Sequence, residues 1–258
     1  MKRLLALLIF LAVGCAAQSK APTSLKAPEA ATKQASPQER ARIHTELAAL
    51  YYSRGNYGVA LQESMIAIES DANYGPAYNV LGLVHAQLRE DAAAEKSFQQ
   101  ALAINPNDSQ ANNNYGSFLC SRGREQASIA HFLAAVKNPL YQEPESAYTN
   151  AGVCSRKIGN DKDAEEYLLN ALRLRPGQPR ALQALAELYF QRGDYAATKQ
   201  LVGRYLEAAP ATPEVLWLGV QSARRLGDRN AEASYGLQLR RSFPDSKEAL
   251  ALKSGRYE

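Results

Sequence analysis

The sequence predicts an all-α fold, a right-handed superhelical solenoid of six helical hairpins. Two observations support this prediction. Between residues 75 and 108, apolar side chains recur at the 3, 4 and 7 spacing of an amphipathic helix, first in one segment and then, after a break near residue 90, in a second. The same pattern repeats with a period of 34 residues between residues 41 and 246. A period of this length indicates stacked supersecondary units rather than one globular core.

The best-formed unit combines small and large apolar residues at fixed positions. Gly82 and Ala94 let the two helices approach closely, and Phe98 fills the space beside them. The matching residues at positions 4, 7, 8, 20, 24, 27 and 32 of the unit are Tyr78, Leu81, Gly82, Ala94, Phe98, Ala101 and Pro106. This unit resembles a tetratricopeptide repeat.

Six copies of the unit follow one another. They cover residues 41–74, 75–108, 109–142, 145–178, 179–212 and 213–246. The sixth copy departs furthest from the pattern, because Glu232 and Gly236 stand where Ala and Phe are expected. Five copies carry a glycine at position 15, which suits the turn between the two helices: Gly55, Gly123, Gly159, Gly193 and Gly227.

The ends of the array can also be predicted. Ser36, Pro37 and Glu39 have the order of an N-cap, a first helical residue and a capping-box acid. We therefore expect the repeats to occupy residues 38–246, with residues 247–258 as a C-terminal cap.

The first 14 residues predict an export signal. Lys2 and Arg3 precede an unbroken apolar stretch of ten residues from Leu4 to Val13. This stretch is too short for a permanent membrane helix, which needs roughly 20 residues. Residues 1–14 are therefore predicted to be a signal peptide.

The sequence LAVGC at residues 11–15 resembles a bacterial lipobox, in which a peptidase cuts before a cysteine that is then acylated. The resemblance implies lipidation of Cys15, and Ala16 in place of Asp implies an outer-membrane destination. Three acyl chains exceed the two signals that stable anchoring needs. The alternative is ordinary secretion, with cleavage after small residues and a free thiol at Cys15.

A lipidated N-terminus and a flexible linker are predicted for residues 15–37. Residues 16–37 are rich in Ala, Pro, Ser, Lys and Gln and contain too little apolar surface to fold alone. A flexible chain of this length spans roughly 25 to 30 Å. We expect it to hold the repeats in the periplasm, close to the outer membrane.

Charge and composition exclude several functions. The net charge is +4 at pH 7 and becomes +2 without the two basic residues of the signal. This charge is too small for a nucleic-acid footprint, so we predict no nucleic-acid partner. Basic residues such as Arg173, Arg175 and Arg180 are interpreted as solvated helix ends.

No catalytic motif is present. The histidines His44, His85 and His131 stand at packing positions of three different repeats, without a nucleophile at a suitable spacing. The sequence contains no phosphate-binding glycine loop, HExxH or GxSxG. We predict a protein that is not an enzyme and has no cofactor, metal or small-molecule substrate. The rival hypothesis is a lipoprotein enzyme or ligand carrier with a site between repeats.

Two cysteines lie in neighbouring repeats. Cys120 is at position 12 of the third repeat and Cys154 at position 10 of the fourth, so they lie at similar heights on adjacent first helices. An oxidising periplasm favours a disulfide, and closing a loop of about 35 residues contributes roughly 3 to 4 kcal/mol. The alternative is a pair of unlinked, buried cysteines. In neither case do the two cysteines supply enough ligands for a zinc site.

The first helices of a helical solenoid line a groove. We predict that its partner-facing residues include Thr45, Ala49, Tyr52, Asn79, Leu83, Gln87 and Asn113. Tyr and Leu beside Asn and Gln suit an apolar peptide or helix whose backbone needs hydrogen-bond partners. Thr45 and Ala49 stand where a carboxylate clamp for acidic C-termini would need Lys and Asn. The alternative is a solvated face without a partner.

Five segments are more specific than the repeat pattern. They are NNYGSFLC at 113–120, NPLY at 138–141, NAGVC at 150–154, LWLG at 216–219 and RRSFP at 240–244. Across the mature chain these segments resemble the PilF/PilW family of type IV pilus biogenesis and stability lipoproteins. The resemblance implies an outer-membrane pilotin whose repeats bind the pilus secretin subunit and promote its localisation and multimerisation, supporting twitching motility. It also implies a disulfide between Cys120 and Cys154.

One alternative remains within the class of binding proteins. The chain could be an adaptor lipoprotein of another envelope assembly machine, either for β-barrel assembly or as a scaffold for peptidoglycan enzymes. Deletion separates these hypotheses. A pilotin predicts loss of twitching and of secretin multimers, whereas a barrel-assembly factor predicts a general loss of outer-membrane proteins.

Overall fold

The computed structural model describes residues 35–256. The predicted signal peptide, Cys15 and the linker up to residue 34 lie outside the described residues. Within the described range the chain forms thirteen helices and no strand. They are α1 Pro37–Ser53, α2 Tyr57–Ser70, α3 Gly75–Gln87, α4 Asp91–Ile104, α5 Ser109–Ser121, α6 Glu125–Ala135, α7 Pro144–Lys157, α8 Asp161–Leu174, α9 Pro179–Gln191, α10 Tyr195–Ala208, α11 Pro213–Arg225, α12 Arg229–Ser242 and α13 Lys247–Lys253. None of these helices is long and apolar enough to cross a membrane.

The first twelve helices pack as six hairpins. Each odd-numbered helix from α1 to α11 packs against the helix that follows it, and each hairpin packs against the next. The odd-numbered helices also contact one another in series, so they form one continuous face of the array. This arrangement confirms the predicted all-α solenoid of six tetratricopeptide-type hairpins.

The first helix begins at the residues that the sequence predicted. The Ser36 side chain accepts a hydrogen bond from the Glu39 backbone N–H at 3.1 Å, and Pro37 is the first residue of α1. This bond satisfies one of the donors that a helix start leaves free. The Glu39 carboxylate instead accepts hydrogen bonds from Arg42, one turn further along.

Aromatic rings join the second hairpin to the third. Phe98 of α4 is fully buried, as is Ala94 one turn before it. The Phe98 ring lies 5.6 Å from the Tyr115 ring and 5.7 Å from the Phe118 ring, both on the next hairpin. Buried rings that touch across hairpins contribute strongly to packing, because each unit of the array contacts only its neighbours.

The turns within the hairpins use left-handed backbone. The five glycines at position 15 have φ between 71° and 81°, a region that favours glycine. The second repeat has Arg89 at this position, with φ of 64°. The turn geometry is therefore kept even where the glycine is replaced.

The last helix packs on the sixth hairpin. α13 contacts both α11 and α12. Ala249 of α13 is buried in one cluster with Leu216 and Leu239. The helix therefore covers apolar side chains that a terminal hairpin would otherwise expose.

Candidate functional site

The odd-numbered helices from α1 to α11 form the candidate site. We call the exposed and half-buried side chains along this face the inner surface. Four of the predicted groove residues belong to it: Ala49 and Gln87 are exposed, and Tyr52 and Leu83 are half-buried. The contact of these residues with a partner stays a prediction.

The other three predicted groove residues lie beneath this surface. Thr45, Asn79 and Asn113 are only 7%, 6% and 7% exposed. The Thr45 hydroxyl donates to the Ala41 carbonyl at 2.7 Å, within its own helix. The prediction that these three residues face a partner is therefore wrong, because neighbouring helices cover them. The position of a residue within its repeat does not show whether the next repeat covers it.

The buried asparagines join the repeats to one another. The Asn114 side-chain N–H donates to the Asn79 amide oxygen at 3.1 Å, and Asn150 donates in the same way to Asn113 at 3.0 Å. The Arg180 guanidinium donates to the Asn150 amide oxygen at 3.0 Å. We call this chain of contacts the amide ladder. The sequence analysis did not identify Asn114 and Asn150. Each stands at position 6 of its repeat, and the preceding repeat has an asparagine at position 5, which was the available signal.

Two of the accessible groove residues, Tyr52 and Gln87, lie together in the fold. The side chains of Tyr52 on α1 and Gln87 on α3 interact. Burial, with a smaller contribution from the nearby Tyr57, raises the pKa of Tyr52, and the interaction with Gln87 partly offsets this rise. The Tyr52 and Tyr57 rings lie 5.8 Å apart. Tyr52 is therefore an oriented, neutral, mainly apolar group at the start of the inner surface.

Leu83 supplies the second apolar position. It packs against the buried cluster that contains Phe98 and Tyr115. Part of its side chain remains accessible, one turn before Gln87 on the same helix. An apolar group supported by a rigid aromatic core is suited to binding an apolar side chain of a partner.

The cysteines of α5 and α7 meet in the structure. Cys120 and Cys154 are paired, with their Cα atoms 6.1 Å apart. This separation lies within the range of disulfides. Both residues are buried, so the pair joins the third and fourth hairpins close to the inner surface.

The three histidines form hydrogen bonds within the array. Nδ1 of His44 lies 2.7 Å from a carboxylate oxygen of Glu63, and Nδ1 of His85 lies 2.5 Å from one of Glu90. His131 Nδ1 lies 2.9 Å from the side-chain oxygen of Asn112. Among residues 35–256, no group of three or more His, Cys, Asp and Glu side chains is arranged to hold a metal ion.

Comparison with known proteins shows the family. The tetratricopeptide repeat family matches residues 75–108, 97–130 and 159–218. The type IV pilus assembly protein PilF of Pseudomonas aeruginosa is 30% identical over 198 residues, which cover 77% of this chain and 79% of that protein.

Two solved structures show the same similarity over most of their length. The structure of PilW, described as a widely conserved type IV pilus biogenesis factor, has a TM-score of 0.74 at 33% identity and covers 82% of this chain and 97% of its own. The structure of Pseudomonas aeruginosa PilF has a TM-score of 0.78 at 28% identity, with coverages of 85% and 99%. The chain therefore belongs to the PilF/PilW family of tetratricopeptide repeat proteins of type IV pilus biogenesis.

Proposed function

We propose that this chain is an outer-membrane lipoprotein pilotin that binds the secretin subunit of the type IV pilus. In this proposal it promotes secretin localisation and multimerisation, and so supports twitching motility. Its membership of the PilF/PilW family supports the coarser role in type IV pilus biogenesis. Proteins of this type are typically non-enzymatic scaffolds, and we propose no catalytic step.

One observation carries the binding proposal. The odd-numbered helices form a continuous face, on which Tyr52 and Leu83 are accessible and supported from beneath by packed rings. Side-chain amides lie beside them, among them Gln87. An apolar segment with unsatisfied backbone groups, such as an unassembled membrane subunit exposes, fits a surface of this composition.

The proposed mechanism is tethering combined with capture. Lipidation of Cys15 would confine the chain to the outer membrane, and the linker would let the repeats reach roughly 25 to 30 Å from it. Confinement raises the effective concentration of the repeats around secretin monomers without any new contact. In the oxidising periplasm we propose that Cys120 and Cys154 form a disulfide that holds the third and fourth hairpins together.

Semi-denaturing electrophoresis of outer-membrane fractions tests the cellular function. We expect secretin multimers to be lost on deletion, and to be reduced or misplaced in cells with Cys15→Ala. Unchanged multimers in both strains would contradict the pilotin proposal. A general loss of outer-membrane proteins would favour the barrel-assembly adaptor instead.

Capture of full-length secretin by the purified mature chain tests the surface. Leu83→Glu places a charge on the inner surface, and we expect roughly a tenfold or greater loss of affinity, as for a central contact residue. Met65→Glu is the matched control, because Met65 is a 51% exposed apolar residue on α2, which belongs to the opposite set of helices. Circular dichroism verifies that both variants fold. Equal affinities of the two variants for secretin would show that the binding site does not lie on the inner surface.

A further inference from the structure

We propose that the inner surface carries a separate binding site for a carboxylate of the partner, formed at α5, α7 and α9 around Lys157 and Arg180. The inference rests on the proposed function, because it names the chemistry of the secretin segment that the inner surface binds. It differs from the apolar region around Tyr52 and Leu83, because that region lies on the first and second hairpins and the cleft lies on the third to fifth.

The site is a cleft of about 290 Å³ between three consecutive odd-numbered helices. Its apolar walls include the Cys120–Cys154 pair and the ring of Phe132. Its polar lining residues are Ser117, Ser121, Asn150, Lys157 and Arg180. The cleft therefore combines hydrogen-bonding groups and two cations with apolar contact area, as ligand sites do.

Within the part of the chain that the structure describes, the two cations have no carboxylate partner. Lys157 and Arg180 form no ion pair within residues 35–256, and the lining of the cleft contains no Asp or Glu. The adjacent Arg156 differs, because it forms an ion pair with Glu187 at 2.7 Å. Two positive charges on one cleft without a compensating anion favour binding of a negatively charged group.

Neutral groups hold both cations in position. Lys157 Nζ donates to the Cys120 carbonyl at 3.1 Å, and Arg180 Nη1 donates to the Asn150 amide oxygen at 3.0 Å. An ammonium has three donors and a guanidinium five, so each keeps donors for a ligand. Because their orientation is already restricted, less side-chain entropy is lost when a carboxylate binds.

The amide ladder indicates a peptide rather than a small anion. Asn150 belongs to both the cleft and the ladder, and the ladder continues through Asn113 and Asn114 toward the earlier hairpins. A chain that places its carboxylate in the cleft and continues toward the earlier hairpins would therefore pass Asn150 and Asn114, the half-buried members of the ladder. The carboxylate could belong to an Asp or Glu side chain or to the C-terminus, since both present the same two oxygens.

The position of the site explains why sequence reasoning overlooked it. In the sequence, Thr45 and Ala49 exclude a carboxylate clamp in the first repeat, and the position of Arg180 predicts a solvated helix end. In the fold Arg180 begins α9 but reaches Asn150 on α7, and Lys157 reaches Cys120 on α5. The two cations therefore line one cleft although they belong to different repeats.

Peptide binding to the mature chain tests the proposal. The probes are overlapping 15-residue peptides covering the mature secretin, and affinities are measured by fluorescence anisotropy. We expect Lys157→Ala/Arg180→Ala to lower the affinity for the peptides that bind by roughly tenfold or more, because two charge-assisted hydrogen bonds are lost. Lys162→Ala/Arg173→Ala on α8 is the control, since it removes the same charge from exposed positions outside the cleft.

Modified peptides identify the carboxylate. Replacement of Asp and Glu by Asn and Gln, or amidation of the C-terminus, should weaken binding to the wild-type chain but not to Lys157→Ala/Arg180→Ala. Arg180→Ala alone provides a second variant that leaves the Lys157 contact with Cys120 intact. Two results would contradict the proposed site. One is equal peptide affinity of the double variant and its control, and the other is peptide affinity that does not change when any carboxylate is removed.

Capture of full-length secretin separates the two proposals. If the wild-type chain captures secretin and the double variant captures it equally well, the carboxylate site is wrong and the proposed function stands. If the wild-type chain captures no secretin, both proposals fail.

Discussion

A Cβ atom on Gly82 would lie 2.8 Å from the ring of Phe98, so the contact between α3 and α4 requires a residue without a side chain. The same relationship recurs between Gly116 and the Phe132 ring, also at 2.8 Å. In these two hairpins the glycine and the phenylalanine are complementary, because one provides the space that the other fills.

Gly82→Ala should therefore destabilise the chain despite the higher helix propensity of alanine. Phe98 is fully buried and cannot move aside, so overpacking should lower the free energy of unfolding by about 1 to 3 kcal/mol. Equilibrium unfolding in urea measures the change. The matched control is Gly203→Ala in α10, where an added Cβ meets nothing within 4 Å. We expect this control to raise the free energy of unfolding by about 0.5 to 1 kcal/mol, and effects of the same sign in both variants would contradict the argument.

Arg89→Gly should stabilise the second hairpin. Arg89 has φ of 64°, which costs a residue with a Cβ roughly 1 kcal/mol more than glycine. We expect the free energy of unfolding to rise by about that amount. Arg89→Ala is the control, because it removes the charged side chain but keeps the Cβ and so should give no such gain. A similar gain in both variants would show that the side chain, and not the backbone, is responsible.

Acid should weaken the third hairpin through His131. The Asn112 N–H groups donate to the carbonyls of Pro106 and Asp108, so its side-chain oxygen faces His131 and accepts from Nδ1. Burial lowers the pKa of His131, and the positive charge of Arg124 lowers it further.

Because the folded pKa lies below that of the unfolded chain, the unfolded chain binds a proton first as the pH falls. The contribution of His131 to stability is therefore complete above about pH 6.5, the ordinary pKa, and is lost as the pH falls toward the folded pKa. Urea unfolding between pH 5 and 7.5 should show a smaller loss of stability in His131→Gln than in the wild-type chain. Equal pH dependence in both would contradict this assignment.

Loss of the cysteine pair should lower the free energy of unfolding by more than any of these changes. Cys120 and Cys154 are 34 residues apart in sequence. In the chain-entropy description, a disulfide closing such a loop contributes roughly 3 to 4 kcal/mol, and Cys120→Ser/Cys154→Ser should lose about that amount under oxidising conditions. The difference between the variant and the wild-type chain should vanish when a reductant is added. A difference that persists in the reductant would indicate that packing of the cysteines, rather than a covalent link, is responsible.

Much of the fold could be predicted from the sequence because its determinants are local. The period of 34 residues, the glycines at position 15 and the start signal at Ser36 each act within one hairpin or one turn. A hairpin forms its own helix contacts, and the next hairpin repeats them. The pattern of one copy therefore determined the architecture of the whole array.

The character of the inner surface was decided by the tertiary structure. Asn79 and Asn113 were expected to face a partner, but both are buried and accept hydrogen bonds from the following repeat. Lys157 and Arg180 were unremarkable in the sequence and share one cleft in the fold. Helical periodicity assigns a residue to a face of its own helix, whereas the twist and spacing between successive hairpins set which neighbours cover that face. The sequence by itself therefore determined the repeat, its turns and its family, and only packing between repeats decided which of its polar groups remain free to bind.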